Sequence, residues 1–202
     1  MLRKHYLLAN IPDQYMRIDW ERDFTGSQEA KDAVRIYLDK WEGMKLYGMG
    51  LEFGGKSLGV GKTFAATTIG KELIKRRETV FFLPFNQMVN AFMQKDEVVK
   101  AKLESVKVLI LDELQIPFSD KGFAPISHAL ESVIRNRTNY NAITIITTNL
   151  SEEELEEHYP RIYSLLSAKQ MRVEMTGADA RQEWMAKKDL ELIMNDERRP
   201  IT

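Results

Sequence analysis

One stretch, Gly54-Gly55-Lys56-Ser57-Leu58-Gly59-Val60-Gly61-Lys62-Thr63, constrains this chain more than any other. The short run Leu51-Glu52-Phe53 reads as a strand leading into it, and a helical stripe of Ala66, Ile69, Gly70, Leu73 and Ile74 follows. Glycines between a strand and a helix let backbone amides turn inward around an anion, and the helix start adds the positive end of its dipole. A lysine and a hydroxyl residue directly after the last glycine suit the β/γ-phosphates of a nucleotide and a Mg²⁺ ion. The consensus spacing places its first glycine where Lys56 stands; Gly55 lies one residue further back, which fits a loop longer by one residue at its start. A surface turn that happens to spell Gly-x-Gly-Lys-Thr would not need the strand before it and the helix after it.

A second acidic signal comes about fifty residues later. Val108-Leu109-Ile110-Leu111-Asp112-Glu113 puts two carboxylates at the C-terminal end of a buried strand, the edge of a parallel sheet where ligands sit. An aspartate there orients a Mg²⁺ shell, and an adjacent glutamate polarises an attacking water. Ile145-Ile146-Thr147-Thr148-Asn149 ends the next strand in polar groups. If that strand lies between the two motif strands, Asn149 points at the γ-phosphate; taken alone, it reads as a cap of the Ser151–Glu157 helix.

The remaining pattern alternates strands with helices, at Thr79–Leu83, Asn86–Met93, Val106–Leu111, Ile126–Ile134, Ile143–Thr148, Glu152–His158, Arg161–Ser167 and Met171–Met175, with a last helix from Asp179. Such alternation argues for an α/β fold, a three-layer sandwich around a parallel five-stranded sheet. Residues 1–26, broken by Pro12 and Gly26, read as an irregular N-terminal segment before a single domain over 27–202. With no cysteine, the chain is excluded from disulfide scaffolds, thiolate zinc sites and thiol catalysis. The longest uncharged apolar run, Val80–Phe85, is too short to span a bilayer, so no membrane partner and a cytoplasmic location are expected. The net charge of −1 gives no overall attraction to nucleic acid. Charge is uneven, however: 51–105 holds 9 basic and 6 acidic groups while 151–202 holds 8 and 12, so any polyanion contact must be local.

These motifs, with Asn10-Ile11-Pro12-Asp13-Gln14-Tyr15, Ile146-Thr147-Thr148-Asn149-Leu150-Ser151, Arg161-Ile162-Tyr163-Ser164-Leu165-Leu166 and Gly177-Ala178-Asp179-Ala180-Arg181, resemble AAA+ P-loop ATPases of the bacterial helicase-loader group, DnaC and DnaI, with the transposition helper IstB as a relative. The resemblance runs from about residue 8 to 185. It implies ATP and Mg²⁺ as cofactors, with Gly59, Val60, Gly61, Lys62, Thr63 and Phe64 around the nucleotide and Thr63 and Asp112 at the metal. Glu113, Asn149 as sensor 1, Arg181 as sensor 2 and Arg161 form the catalytic set it implies. The family's arginine finger falls at Leu165, which leaves Arg161, or Arg135 and Arg137, as substitutes. Only 27 residues follow Met175, so the lid is expected to be reduced or absent, and the chain starts almost directly at the ATPase module.

The implied function is a replicative helicase loader. Its partners would be a hexameric helicase, single-stranded DNA and further copies of itself. An IstB-like transposition helper and a nucleotide-gated switch with little turnover are the rivals. The segment the family uses for DNA is here Asn86–Lys102, with Asn90, Phe92, Gln94, Lys95, Lys100 and Lys102. It fits a strand-tracking groove or, equally, an amphipathic helix that buries Met88, Phe92 and Met93.

Overall fold

The computed structural model describes residues 2–116, 120–177, 179, 194 and 201. In chain order the elements are α1 (Leu2–Leu8), α2 (Asp13–Met16), α3 (Trp20–Asp23), α4 (Gln28–Asp39), α5 (Trp41–Tyr47), β1 (Gly50–Gly54), α6 (Lys62–Lys75), β2 (Val80–Pro84), α7 (Phe85–Met93) and α8 (Glu97–Ser105). Then follow β3 (Val108–Leu114), α9 (Asp120–Asn139), β4 (Ile143–Thr148), α10 (Glu152–His158), α11 (Pro160–Ser167) and β5 (Gln170–Glu174). The five strands are all parallel, in the order β2-β3-β4-β1-β5. This is the α/β arrangement around a parallel five-stranded sheet that the sequence predicts.

The central part of the sheet reads as apolar runs, Val80–Leu83 in β2 and Val108–Leu111 in β3, because both of its faces are covered. Alternate residues feed two cores: Val108 and Ile110 of β3 join one cluster, Leu109 and Leu111 the other. The first cluster packs α6 through Ala65, Ala66, Ile69 and Leu73, the second α9 through Leu130 and Ile134. Gly70 lets α6 lie close on the sheet, since a Cβ there would stand 2.6 Å from the Ile110 Cδ1 atom. No described helix is long and apolar enough to cross a membrane.

Three features depart from the sequence reading. The first 26 residues hold three short helices rather than an irregular run, and Tyr6, Ile11, Met16 and Phe24 sit in the first core cluster. Their order comes from burial, which outweighs the breakers at Pro12 and Gly26. This segment also covers the outer strand β2: the Phe82 N–H donates to the Ala9 carbonyl at 2.8 Å, and the Asn10 side-chain amide donates to the Phe82 carbonyl at 2.9 Å. Secondly, residues 86–102 divide into two helices. Lys95 turns the chain with φ of 56°, and the Asp96 carboxylate caps α8. Met88 is buried and Phe92 half-buried as expected of an amphipathic helix, but Met93 is 74% exposed. Thirdly, β3 continues past Leu111 to Leu114, through an irregularity that bears on the site. The expected helix from Asp179 lies outside the described residues.

Candidate nucleotide site

The loop between β1 and α6 closes around its own lysine. The Lys62 ammonium, nearly buried, donates to the carbonyls of Gly55 at 2.7 Å and Ser57 at 2.6 Å. Gly59 and Gly61 take φ of 70° and 93°, the left-handed region that glycine enters without penalty. Gly55 also has positive φ, at 117°, so it and not Lys56 supplies the flexible start of the loop. The Lys56 side chain points away into an ion pair with Glu154 of α10 at 3.0 Å. Gly61 caps α6 with no side chain, and no acidic residue stands in the first turn to offset the dipole.

A cleft opens over this loop, lined by residues from three directions. Gly59, Val60, Gly61, Lys62, Thr63 and Phe64 form its floor, and Glu113, Thr147, Thr148 and Asn149 one side. The other side is made of Tyr15, Ile18, Phe24, Thr25 and Gly26, residues that sequence reasoning did not assign. Phe64 belongs to both. Its ring stands edge-on to Phe24 and Trp20, with centroids 5.5 and 5.6 Å away, while Trp20 and Phe24 stack at 4.0 Å. Phe24 lies so close to the loop that a Cβ on Gly61 would come within 2.7 Å of its ring. The clustering of Tyr15, Trp20 and Phe24 just after the Ile11-Pro12 motif was the available signal for this wall. Such a cleft pairs a flat apolar slot, suited to a base, with amides and a cation suited to a polyphosphate.

Lys71, two turns along α6 from Phe64, holds that wall in place. Its buried ammonium donates to the carbonyls of Tyr15 at 2.9 Å and Ile18 at 2.6 Å. Burial, aided by Lys75, brings its pKa down to about 8.

At the sheet edge, β4 lies between β1 and β3, as the reading of Asn149 required. Asp112 is buried at the end of β3, and its Oδ1 accepts a hydrogen bond from the Thr147 hydroxyl at 2.7 Å. Glu113 next to it is exposed and lines the cleft. Among the described residues no group of three or more His, Asp or Glu could hold a metal by itself. The donor set of the Thr63 hydroxyl and the Asp112 carboxylate fits instead an ion that keeps waters and shares phosphate oxygens, as Mg²⁺ does.

The other predicted residues fall elsewhere. Arg161 does not line the chain's own cleft; it is exposed on α11, 3.6 Å from Glu131, which also pairs with Arg135 at 2.7 Å. Arg137 is corrected as a finger substitute. It is buried, and its guanidinium donates to Thr144 Oγ1 and to the carbonyls of Leu103, Val106, Lys107 and Ile143. Burial lowers its pKa to about 10, which leaves it charged at neutral pH as a staple between strands and helices. Leu165 packs on the second core cluster. Arg181 lies outside the described residues.

The model of the IstB-like ATP binding protein family matches residues 53–168, from the end of β1 through α11. The chain belongs to that family. No curated protein sequence matches it. Among solved structures, DnaI superposes on this IstB-like chain with a TM-score of 0.68 at 21% identity, covering 82% of this chain and 95% of DnaI. The DnaC helicase loader gives 0.66 at 19%, covering 82% of this chain and 100% of the loader chain. AMPPCP-bound DnaA from Aquifex aeolicus gives 0.65 at 18% and covers 93% of this chain. The chain spans only 57% of that DnaA structure. At these identities the likeness to DnaI, DnaC and DnaA is one of fold, and the family match is what makes this an IstB-like ATP-binding protein.

Proposed function

We propose that this IstB-like chain binds and hydrolyses ATP and uses the nucleotide state to load a hexameric replicative helicase onto single-stranded DNA. The observation that carries the ATPase reading is the placement of β4, which sets Asn149 and Glu113 on one wall of a cleft whose floor is the lysine loop. In this reading Lys62 and the loop amides hold the phosphates, Glu113 takes a proton from the attacking water, and Asn149 orients that water. Thr63 and Asp112 would hold a Mg²⁺ ion, which would supply charge neutralisation on the phosphates. Arg181 and Arg161 are proposed to complete the charge, the second towards a neighbouring copy.

The loader reading is supported by the family motifs that this chain shares with DnaC and DnaI and by a fold likeness that spans their chains almost end to end. The family match itself favours a second reading, a helper ATPase for a transposase. Affinity capture from native extract separates them. Recovery of a hexameric helicase is expected; recovery of a transposase, with duplex DNA preferred in an anisotropy titration, would replace loading by the helper role.

A further inference from the structure

The ladder between β3 and β4 slips at the acidic pair. Leu111 faces Ile146 and Leu114 faces Thr148, so Asp112 and Glu113 together oppose the single residue Thr147. In a regular strand two consecutive side chains point to opposite faces. A bulge breaks that alternation and re-aims a side chain beside a site. Here it takes the form of Glu113 in the left-handed region, φ 57°, which residues with a Cβ seldom adopt. The Thr147 hydroxyl meets both halves of the bulge: it donates to Asp112 Oδ1 at 2.7 Å and accepts the Glu113 N–H at 2.9 Å. The Thr148 hydroxyl closes the slip by donating to the Leu114 carbonyl at 2.7 Å.

We infer that Thr147 is a positioning residue whose single hydroxyl sets the Asp112 carboxylate for the metal and holds the Glu113 backbone in its left-handed turn, so that both carboxylates serve one cleft. Its side chain is almost wholly buried at the border of the cleft, and its hydroxyl is engaged by Asp112 on one side and the Glu113 N–H on the other, so it acts through those two residues. The inference rests on the ATPase reading for its kinetic consequence, and on the bulge alone for its structural one.

The test compares Thr147→Val, which keeps the shape and removes the hydroxyl, with Thr147→Ser, which keeps the hydroxyl. Three quantities are read in the full chain: ATP affinity with and without Mg²⁺, turnover with partner present, and hydrogen exchange at the Glu113 amide. For Thr147→Val the expected result is a loss of about 10–100-fold in the Mg²⁺-dependent gain in affinity and in turnover, with metal-free affinity unchanged. Its Glu113 amide should exchange faster while the other β3 amides stay protected, and Thr147→Ser should restore all three. Wild-type metal dependence in Thr147→Val overturns the positioning role. If wild-type protein bound no Mg-ATP, the ATPase reading would fall instead. The Glu113 amide would then decide the structural half alone: faster exchange in Thr147→Val supports it, and unchanged exchange overturns it.

Discussion

The Lys62 ammonium lies 2.7 Å from the carbonyl of Gly55, seven residues behind it in the chain. The same side chain therefore shapes the loop and carries its charge. Lys62→Ala is expected to lose about 2–3 kcal/mol of Mg-ATP binding, on the order of 30–150-fold in affinity. It should also loosen residues 55–61, seen as a lower melting temperature without loss of the fold. Wild-type affinity by calorimetry would show that the loop does not hold a phosphate.

Glu113→Gln should keep Mg-ATP affinity and lower partner-stimulated turnover by about 10²–10⁴-fold, because an amide takes no proton from water. Asp112→Asn retains an oxygen for the Thr147 hydroxyl and so should fold, but its Mg²⁺-dependent affinity should fall. Single-turnover assays with both variants distinguish the two effects. Equal turnover in wild type and Glu113→Gln would remove Glu113 from the reaction.

Lys71 gives a pH signature. Its folded pKa of about 8 lies below the ordinary lysine value, so between about pH 8 and 10 the unfolded chain binds more protons at this position than the folded one. Stability from this group is accordingly lowest below pH 8 and rises with pH through that window, by at most about 1.4 kcal/mol per unit. Lys71→Met should flatten the rise in urea denaturation between pH 8 and 9.5. Its loss of two carbonyl contacts should also weaken nucleotide binding by freeing Tyr15 and Ile18. A rise of the same steepness in Lys71→Met would assign it to other groups.

Much of this site was legible because its chemistry is local. Lys62, Thr63, Asp112 and Glu113 are marked by their immediate neighbours, and β4 showed itself through an unbroken β-branched run. The aromatic wall left only a faint trace, the aromatics clustered after Pro12, because Tyr15, Ile18 and Phe24 reach the cleft through long-range packing on α6. The bulge at Glu113 was hidden: the acidic pair reads the same in a regular strand, and only pairing with β4 reveals the slip. Helix α5 and the start of the chain escaped for a related reason, since short helices take their stability from tertiary contacts. Arg137 misled in the opposite direction. An arginine near the end of a long helix reads as a surface group until its carbonyl partners are seen.

The finger position offers a further check. Leu165 packs against the second core cluster and carries no charge, while Arg161 is exposed and pairs with Glu131. Isolated protein should therefore bind ATP yet turn it over slowly, since a finger in trans contributes about 10³–10⁵ in related enzymes. If Arg161 serves a neighbour, Arg161→Ala should abolish the stimulation seen on adding partner or DNA while leaving ATP affinity intact. Fast turnover by dilute wild type that survives Arg161→Ala and Arg135→Ala would place the missing charge elsewhere.

Residues 9 and 10 bond to the outer strand β2, and the same stretch leads into the aromatic wall of the cleft. An uncovered strand edge is a template for pairing with another chain. Deleting residues 2–10 would bare the Phe82 N–H and carbonyl on an apolar strand. Filaments or amorphous precipitate, scattering light at low micromolar concentration, are then expected before any change in nucleotide chemistry can be measured. The start of the chain acts as a guard on solubility as much as a support for the site, and a fragment trimmed to the P-loop core would sacrifice the first role together with the second.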